Sequence, residues 1–264
     1  SRRLDSSEAS DVYKKKEQET PLTAVCRNVQ KGHMAKGAEF VALLISNTSV
    51  DINKKTLGDP ESALHIACRL DLLPIVTLLV ARQDVKVNAS NSWGATALFL
   101  ACNQNVSQAS LGIVHSLLTR EDIHINKKVK KTPANDAKSS WSPLHEACSN
   151  PDNVELVKLL LSDSRIDVDK RTSTGNTALH MAVKAGSFNI VQILLGYFED
   201  NNSEKKKNRI NQSNNTFHNA IDLAVQKNYI NIGVLLAENG GLQSLPQAMQ
   251  QQLKKRARTA SAIG

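Results

Sequence analysis

Only 4% of the residues are aromatic. That leaves no ladder of rings on which successive bases could stack, and direct nucleic-acid binding becomes a minor expectation. No apolar run approaches the roughly 20 residues of a membrane-spanning helix, so a transmembrane helix is excluded. The opening stretch SRRLDSSEASDVYKKKEQET is polar throughout and has no apolar signal-peptide core. A glycine-rich phosphate loop, a nucleophile elbow and a metal-ligand cluster are all missing, so no catalytic residue, no metal and no cofactor is expected. The four cysteines, Cys26, Cys68, Cys102 and Cys148, never form a close C-x-x-C pair of the kind zinc sites use. Nothing suggests a disulfide scaffold, and the expectation is a reduced, intracellular chain.

Acidic residues are the scarcer charged type: 25 Asp and Glu face 33 Lys and Arg, for a net charge of +8. The excess is local. Half lies in 127–138, KKVKKTPANDAK, and half in the acid-free tail 241–264. The remainder of the chain is balanced.

What the chain does have is self-similarity. SALHIAC (62–68), TALFLAC (96–102), SPLHEAC (142–148) and NTALHMAV (176–183) are variants of one phrase, with TPLTAVC (20–26) and NAIDLAV (219–225) as weaker copies. The shared Leu or Ile falls at 22, 64, 98, 144, 179 and 221, at intervals of 42, 34, 46, 35 and 42. Periods of this size mark repeat architectures. A second apolar phrase follows in each unit: VALLIS (41–46), IVTLLV (75–80), LVKLLL (156–161) and IVQILL (190–195). A short polar connector then ends in DIN (51–53), VN (87–88), HIN (124–126), DVD (167–169) or RIN (209–211). Each unit therefore reads as two short helices and an extended link.

The phrases TPLH, V-V-x-L-L-L and D-V-N, met here in NTALHMAVKAGSFNIVQILL (176–195), resemble the ankyrin repeat family over about 20–240. The resemblance implies an all-α solenoid of about six helix-turn-helix repeats joined by short hairpins. The repeats lie near 20–53, 62–88, 96–126, 142–169, 177–211 and 219–240. A polar extension, 1–19, precedes them, and a capping helix with a basic tail, 241–264, follows. Elementary chemistry agrees. A lone helix pair cannot bury its apolar stripe, whereas stacked pairs build a continuous core. Thr or Ser before each first helix can cap it, and Pro21 and Pro143 suit a first turn. Asp71, Asn105, Gly186 and Asn228 stand where the inter-helix turn needs a left-handed residue. Repeat 4 departs with Pro151, and repeats 1 and 3 carry insertions near 31–37 and 103–110.

The histidines and cysteines fall into repeat slots. Val183 and Val225 take the cysteine slot in the last two repeats, which makes it a small apolar core position. His65, His145 and His180 share one slot, and the resemblance implies that they fix the corner between hairpin and helix through backbone hydrogen bonds. The polar inserts 127–140 and 199–208 are expected to be disordered surface segments. In the tail, Ser244 and Gln247 form a capping-box pattern, with Leu245, Ala248, Met249 and Leu253 on one face. The basic run Lys254, Lys255, Arg256 and Arg258 also matches a short nuclear-import signal.

The resemblance implies a module that binds a partner protein through hairpin fingertips and the concave face of the first helices. Fingertip positions read Lys54-Lys55, Lys127-Lys128 and Lys170-Arg171, with Trp93 and Trp141 on hairpin segments. Such a rim favours an acidic partner surface. A non-enzymatic monomeric scaffold is the leading expectation. The interrupted, Lys- and Asn-rich repeats are similar to ankyrin effectors that intracellular bacteria secrete into the host cytoplasm or nucleus. Two alternatives remain: the interaction arm of a larger enzyme whose catalytic domain lies outside this chain, and a eukaryotic cytosolic or nuclear regulator.

Overall fold

The computed structural model describes residues 19–29, 33–47, 49–57, 60–104, 106–129, 140–199 and 203–241, with 251 and 255. The polar extension before Glu19, Asn105, the body of the 127–140 insert and the Ser244–Leu253 capping pattern lie outside them. The described chain is helical, with one isolated antiparallel bridge, Ser90 to Thr96, and no strand among the described residues. It divides into two compact units between His124 and Ile125.

In the first unit the first helices of successive repeats are α1 (Pro21–Asn28), α3 (Ala63–Arg69) and α5 (Ala97–Cys102). The second helices are α2 (Met34–Ser46), α4 (Leu73–Val80) and α6 (Gln108–Leu118). The chain packs α1 on α3 on α5, and α2 on α4 on α6. In the second unit α7 (Pro143–Cys148), α9 (Ala178–Lys184) and α12 (Ala220–Gln226) are first helices. Their partners are α8 (Val154–Leu161), α10 (Phe188–Glu199) and α13 (Ile230–Leu236), with an extra helix, α11 (Ser203–Asn211). Most of these helices have two turns or fewer, too short to persist alone in water. Stacking supplies what propensity does not: the shared residues Leu22, Leu64, Leu98, Leu144, Leu179 and Ile221 are all buried.

The caps follow the sequence. Thr20, Thr96 and Ser107 accept from the backbone N–H of Thr23, Phe99 and Ser110, and Asn219 accepts from Ile221 and Asp222. Asp71, Gly186 and Asn228 occupy the left-handed turn between paired helices, with φ of 61°, 72° and 60°. Asparagine side chains tie each hairpin to the next. Asn53 donates to Asp84 O at 2.8 Å and accepts from Lys86 N at 2.7 Å. Asn88 bridges Asp122 and His124 in the same way, and Asn126 bridges Arg165 and Asp167. Both halves of each amide are used, so these residues are joints of the stack.

Two expectations are corrected. The insertion near 31–37 is helical from Met34, because α2 extends backwards and seats Gly37 against Val29, where a Cβ would come within 2.3 Å. The expected disorder of 199–208 fails from Ser203 onward, where α11 forms. Ile210 is fully buried, and Lys206 forms an ion pair with Glu199. Arg209 grips Asp169 with two 2.8 Å bonds and lies over the Phe198 ring at 5.1 Å. The basic stems thus cover apolar surface while their heads find partners. RIN (209–211) accordingly closes a helix instead of forming an extended link. The insert 127–140 is pinned at its ends: Val129 N–H donates to Trp141 O at 2.8 Å, and Ser140 N–H to Val129 O at 3.0 Å.

Candidate functional site

The histidine slot is a corner joint. His65 Nδ1 accepts from Ser62 N–H at 3.3 Å and meets the Ser62 hydroxyl at 2.7 Å. His145 does the same with Ser142, and His180 with Thr177. An Nδ1 that accepts an N–H leaves the proton on Nε2, which donates to a carbonyl of the next hairpin: Ala89 from His65, Asn176 from His145, His218 from His180. Burial lowers all three below the ordinary histidine range, His145 and His180 to about 4. With both ring nitrogens committed to structure, none of the three is available as a base.

The cysteines fill the apolar core. All four are free and buried. Burial pushes the Cys26 thiol up to about 12, and those of Cys68 and Cys148 further still. Native thiols are therefore expected to stay unreactive toward an aromatic disulfide reagent at pH 8 and to react together once urea unfolds the chain. A thiol that titrates rapidly in the folded protein would contradict this placement. No group of three or more potential metal ligands occurs among the described residues.

The outer surface lies on the hairpins. Lys54 is exposed. Lys55 turns toward the next hairpin and donates to Ser90 O at 2.6 Å. Lys127 is half-buried, and Lys128 donates to Arg171 O at 2.5 Å. Lys170 pairs with Asp167 at 3.0 Å. Arg171 donates to Gly175 O at 3.0 Å and to Ser213 O. The two members of each basic pair thus differ, the second reaching along the stack. Trp93 is 44% exposed on its turn, while Trp141 is half-buried and its carbonyl holds the clasp of the insert. Of the basic tail, Lys255 is exposed, and Lys254, Arg256 and Arg258 lie outside the described residues.

One surface residue was missed by sequence reasoning. Phe217 is 89% exposed and has φ +60°. It stands four residues before the shared Ile221, as Gly94 stands before Leu98 and Gly175 before Leu179. Those glycines have φ of 78° and 76°. Aligning the repeats on that glycine would have found it.

A family model described as "Ankyrin repeats (3 copies)" matches residues 33–129, 106–206 and 144–245. The chain is an ankyrin-repeat protein. It is 30% identical over 123 residues to the serine/threonine-protein kinase TNNI3K of Mus musculus, across 45% of this chain and 13% of the kinase. It is 28% identical over 153 residues to an ankyrin repeat protein, FPV031, of fowlpox virus (strain NVSL), across 56% of this chain and 41% of that one. The chain thus spans less than half the length of either relative. Among solved structures, the ankyrin repeat protein EF0377 superposes with a TM-score of 0.62 at 22% identity, over 80% of this chain and 98% of its own. Ankyrin repeats form a protein–protein interaction module, typically a non-catalytic scaffold. No helix among the described residues is long and apolar enough to cross a membrane.

Proposed function

We propose that the repeat array over 20–240 binds an acidic surface of a partner protein through its hairpin cations, with Trp93 as an apolar anchor. One observation carries the reading. Lys55, Lys128 and Arg171 give their hydrogen bonds to neutral carbonyl oxygens. A carbonyl holds a cation in place without cancelling its charge, so little ordering entropy remains to be lost on binding. Lys54, Lys127 and Lys170 add charge beside them, and Trp93 has the exposure of a hot-spot residue. Basic hairpins of this kind steer an acidic partner and speed its encounter. The partner is read as a host protein, with the ankyrin array acting as an effector, and the fowlpox virus relative supports that setting. The mouse kinase relative supports a second reading, in which the array is the binding arm of a larger enzyme.

The test is capture of partners from eukaryotic lysate, read by mass spectrometry, with wild type beside the Lys54→Glu/Lys170→Glu variant. These two side chains hold no neighbouring hairpin, so the variant should melt within about 1 °C of wild type. Lys55 and Arg171 are less clean targets, because their reversal also loosens the stack. The expected result is an acidic protein retained by wild type at low salt and weakened at least tenfold by the variant. Equal retention by both would sink the rim. Retention on immobilised DNA with a steep salt dependence would replace the protein partner with nucleic acid.

A further inference from the structure

Phe217 breaks two rules at once. A bulky residue at φ near +60° is a genuine backbone outlier, and its ring is 89% exposed, so folding recovers no burial for it. The glycine of the preceding hairpin is required by space: a Cβ on Gly175 would meet Asn215 Oδ1 at 2.2 Å. That crowding comes from the next hairpin stacking on it. Phe217 lies on the last hairpin among the described residues, so its Cβ is tolerated. Tolerance does not remove the strain, and strain that persists without a structural return marks functional positions.

The hairpin presents the ring rigidly. Phe217 N–H donates to Asn214 O at 3.0 Å, and Asn214 N–H donates to His218 O at 2.9 Å. His180 donates to the same carbonyl, and Asn214 Oδ1 accepts from Thr216 and His218. Beside the ring lies a groove of about 390 Å³ lined by Phe217, His218, Asp222, Val225 and Gln226. Its chemistry is specific. Val225 and the ring are apolar, Gln226 offers an amide, and Asp222 is the one charged lining residue. Asp222 uses Oδ2 to accept from Asn219 N–H at 2.9 Å, and Oδ1 faces an open groove. A carboxylate here repels phosphates and acidic peptides. A guanidinium satisfies both features together, stacking on the ring face and pairing with the carboxylate.

We propose that Phe217, Asp222, Val225 and Gln226 form a docking site for an arginine-bearing, aliphatic segment of a protein partner. The site prefers the opposite charge to the basic hairpins and does not depend on them.

The test uses the full chain with two labelled hexapeptide probes, one of alternating arginine and leucine, the other with glutamate in place of arginine. Amide resonances of 214–226 should shift with the arginine probe, which should bind at least tenfold tighter than the glutamate probe. Phe217→Gly restores the residue that the slot carries elsewhere. It should raise Tm by about 2–4 °C while weakening the arginine probe at least fivefold, and Asp222→Asn should weaken it similarly with its cap retained. Lys54→Glu/Lys170→Glu should leave this probe unaffected, which separates failure here from failure of the hairpin rim. Equal binding of both probes, no shift at 214–226, or unchanged affinity in Phe217→Gly would overturn the proposal. So would a lower Tm for Phe217→Gly, since the ring would then be serving the fold.

Discussion

Leu179→Ala should remove about 3–4 kcal/mol from the stability of the second unit, at the upper-middle of what buried leucine truncations cost. Leu179 is 1% exposed and lies on α9, which packs against α7, α10 and α12. Three neighbours leave little room for collapse into the cavity, and α9 is a seven-residue helix with no independent stability. In a stack, stability is a sum of repeat and interface terms, so loss at α9 weakens both of its interfaces. Urea unfolding should show the midpoint of the second unit falling, and hydrogen exchange should show amides of α7–α13 losing protection together. Leu161→Ala is the contrast, because that side chain sits at 8% exposure and should cost less. A Leu179→Ala cost below about 1 kcal/mol would mean that the repeats are held by their hairpins more than by their helices.

The weight of the hairpins was only partly legible. Period and apolar phrase gave the helices, since the slots of Leu22 to Ile221 and of the four cysteines are set by a core that every repeat shares. The histidine corner was legible for the same reason. Interactions that occur once were not. A run such as EKKKNR reads as a solvated linker, because its helix depends on Asp169, Glu199 and Phe198, which lie elsewhere in the chain. Basic pairs at the fingertips were visible, yet which member reaches the next hairpin depends on carbonyls 35 and 43 residues away, at Ser90 and Arg171. Phe217 fell between these cases. Its slot was periodic, but the slot is defined by a backbone angle, and composition alone shows an ordinary loop phenylalanine.

The histidine corner yields the other large effect. His145 and His180 are lowered by burial to about 4, against an ordinary value of 6.5. The unfolded chain therefore binds more protons than the folded one between those values, and stability rises with pH across that window. The contribution is complete above about pH 6.5, falls as pH drops, and is gone below about 4. Each ring contributes about 3 kcal/mol over the full window, with about 2 kcal/mol of it lost by pH 5. His65 shifts in the same direction and adds to the slope. The cause is geometric: protonating Nδ1 would set a new N–H against the N–H of Ser142 or Thr177, at 3.2 Å in both corners. Carboxylates do not blur the window. Asp84, Asp122 and Asp163 are held below 3.8 by hydrogen bonds from Arg82, Arg120 and Arg165, so their loss comes at lower pH. Urea unfolding at pH 7.5 and 5.0 should differ by about 4 kcal/mol for the two rings together. His180→Gln keeps a side chain suited to the third position of a capping box but cannot titrate. It should be less stable than wild type at pH 7.5 and should lose about half of the pH dependence. A variant with the full wild-type slope would show that these rings are not what acid attacks first.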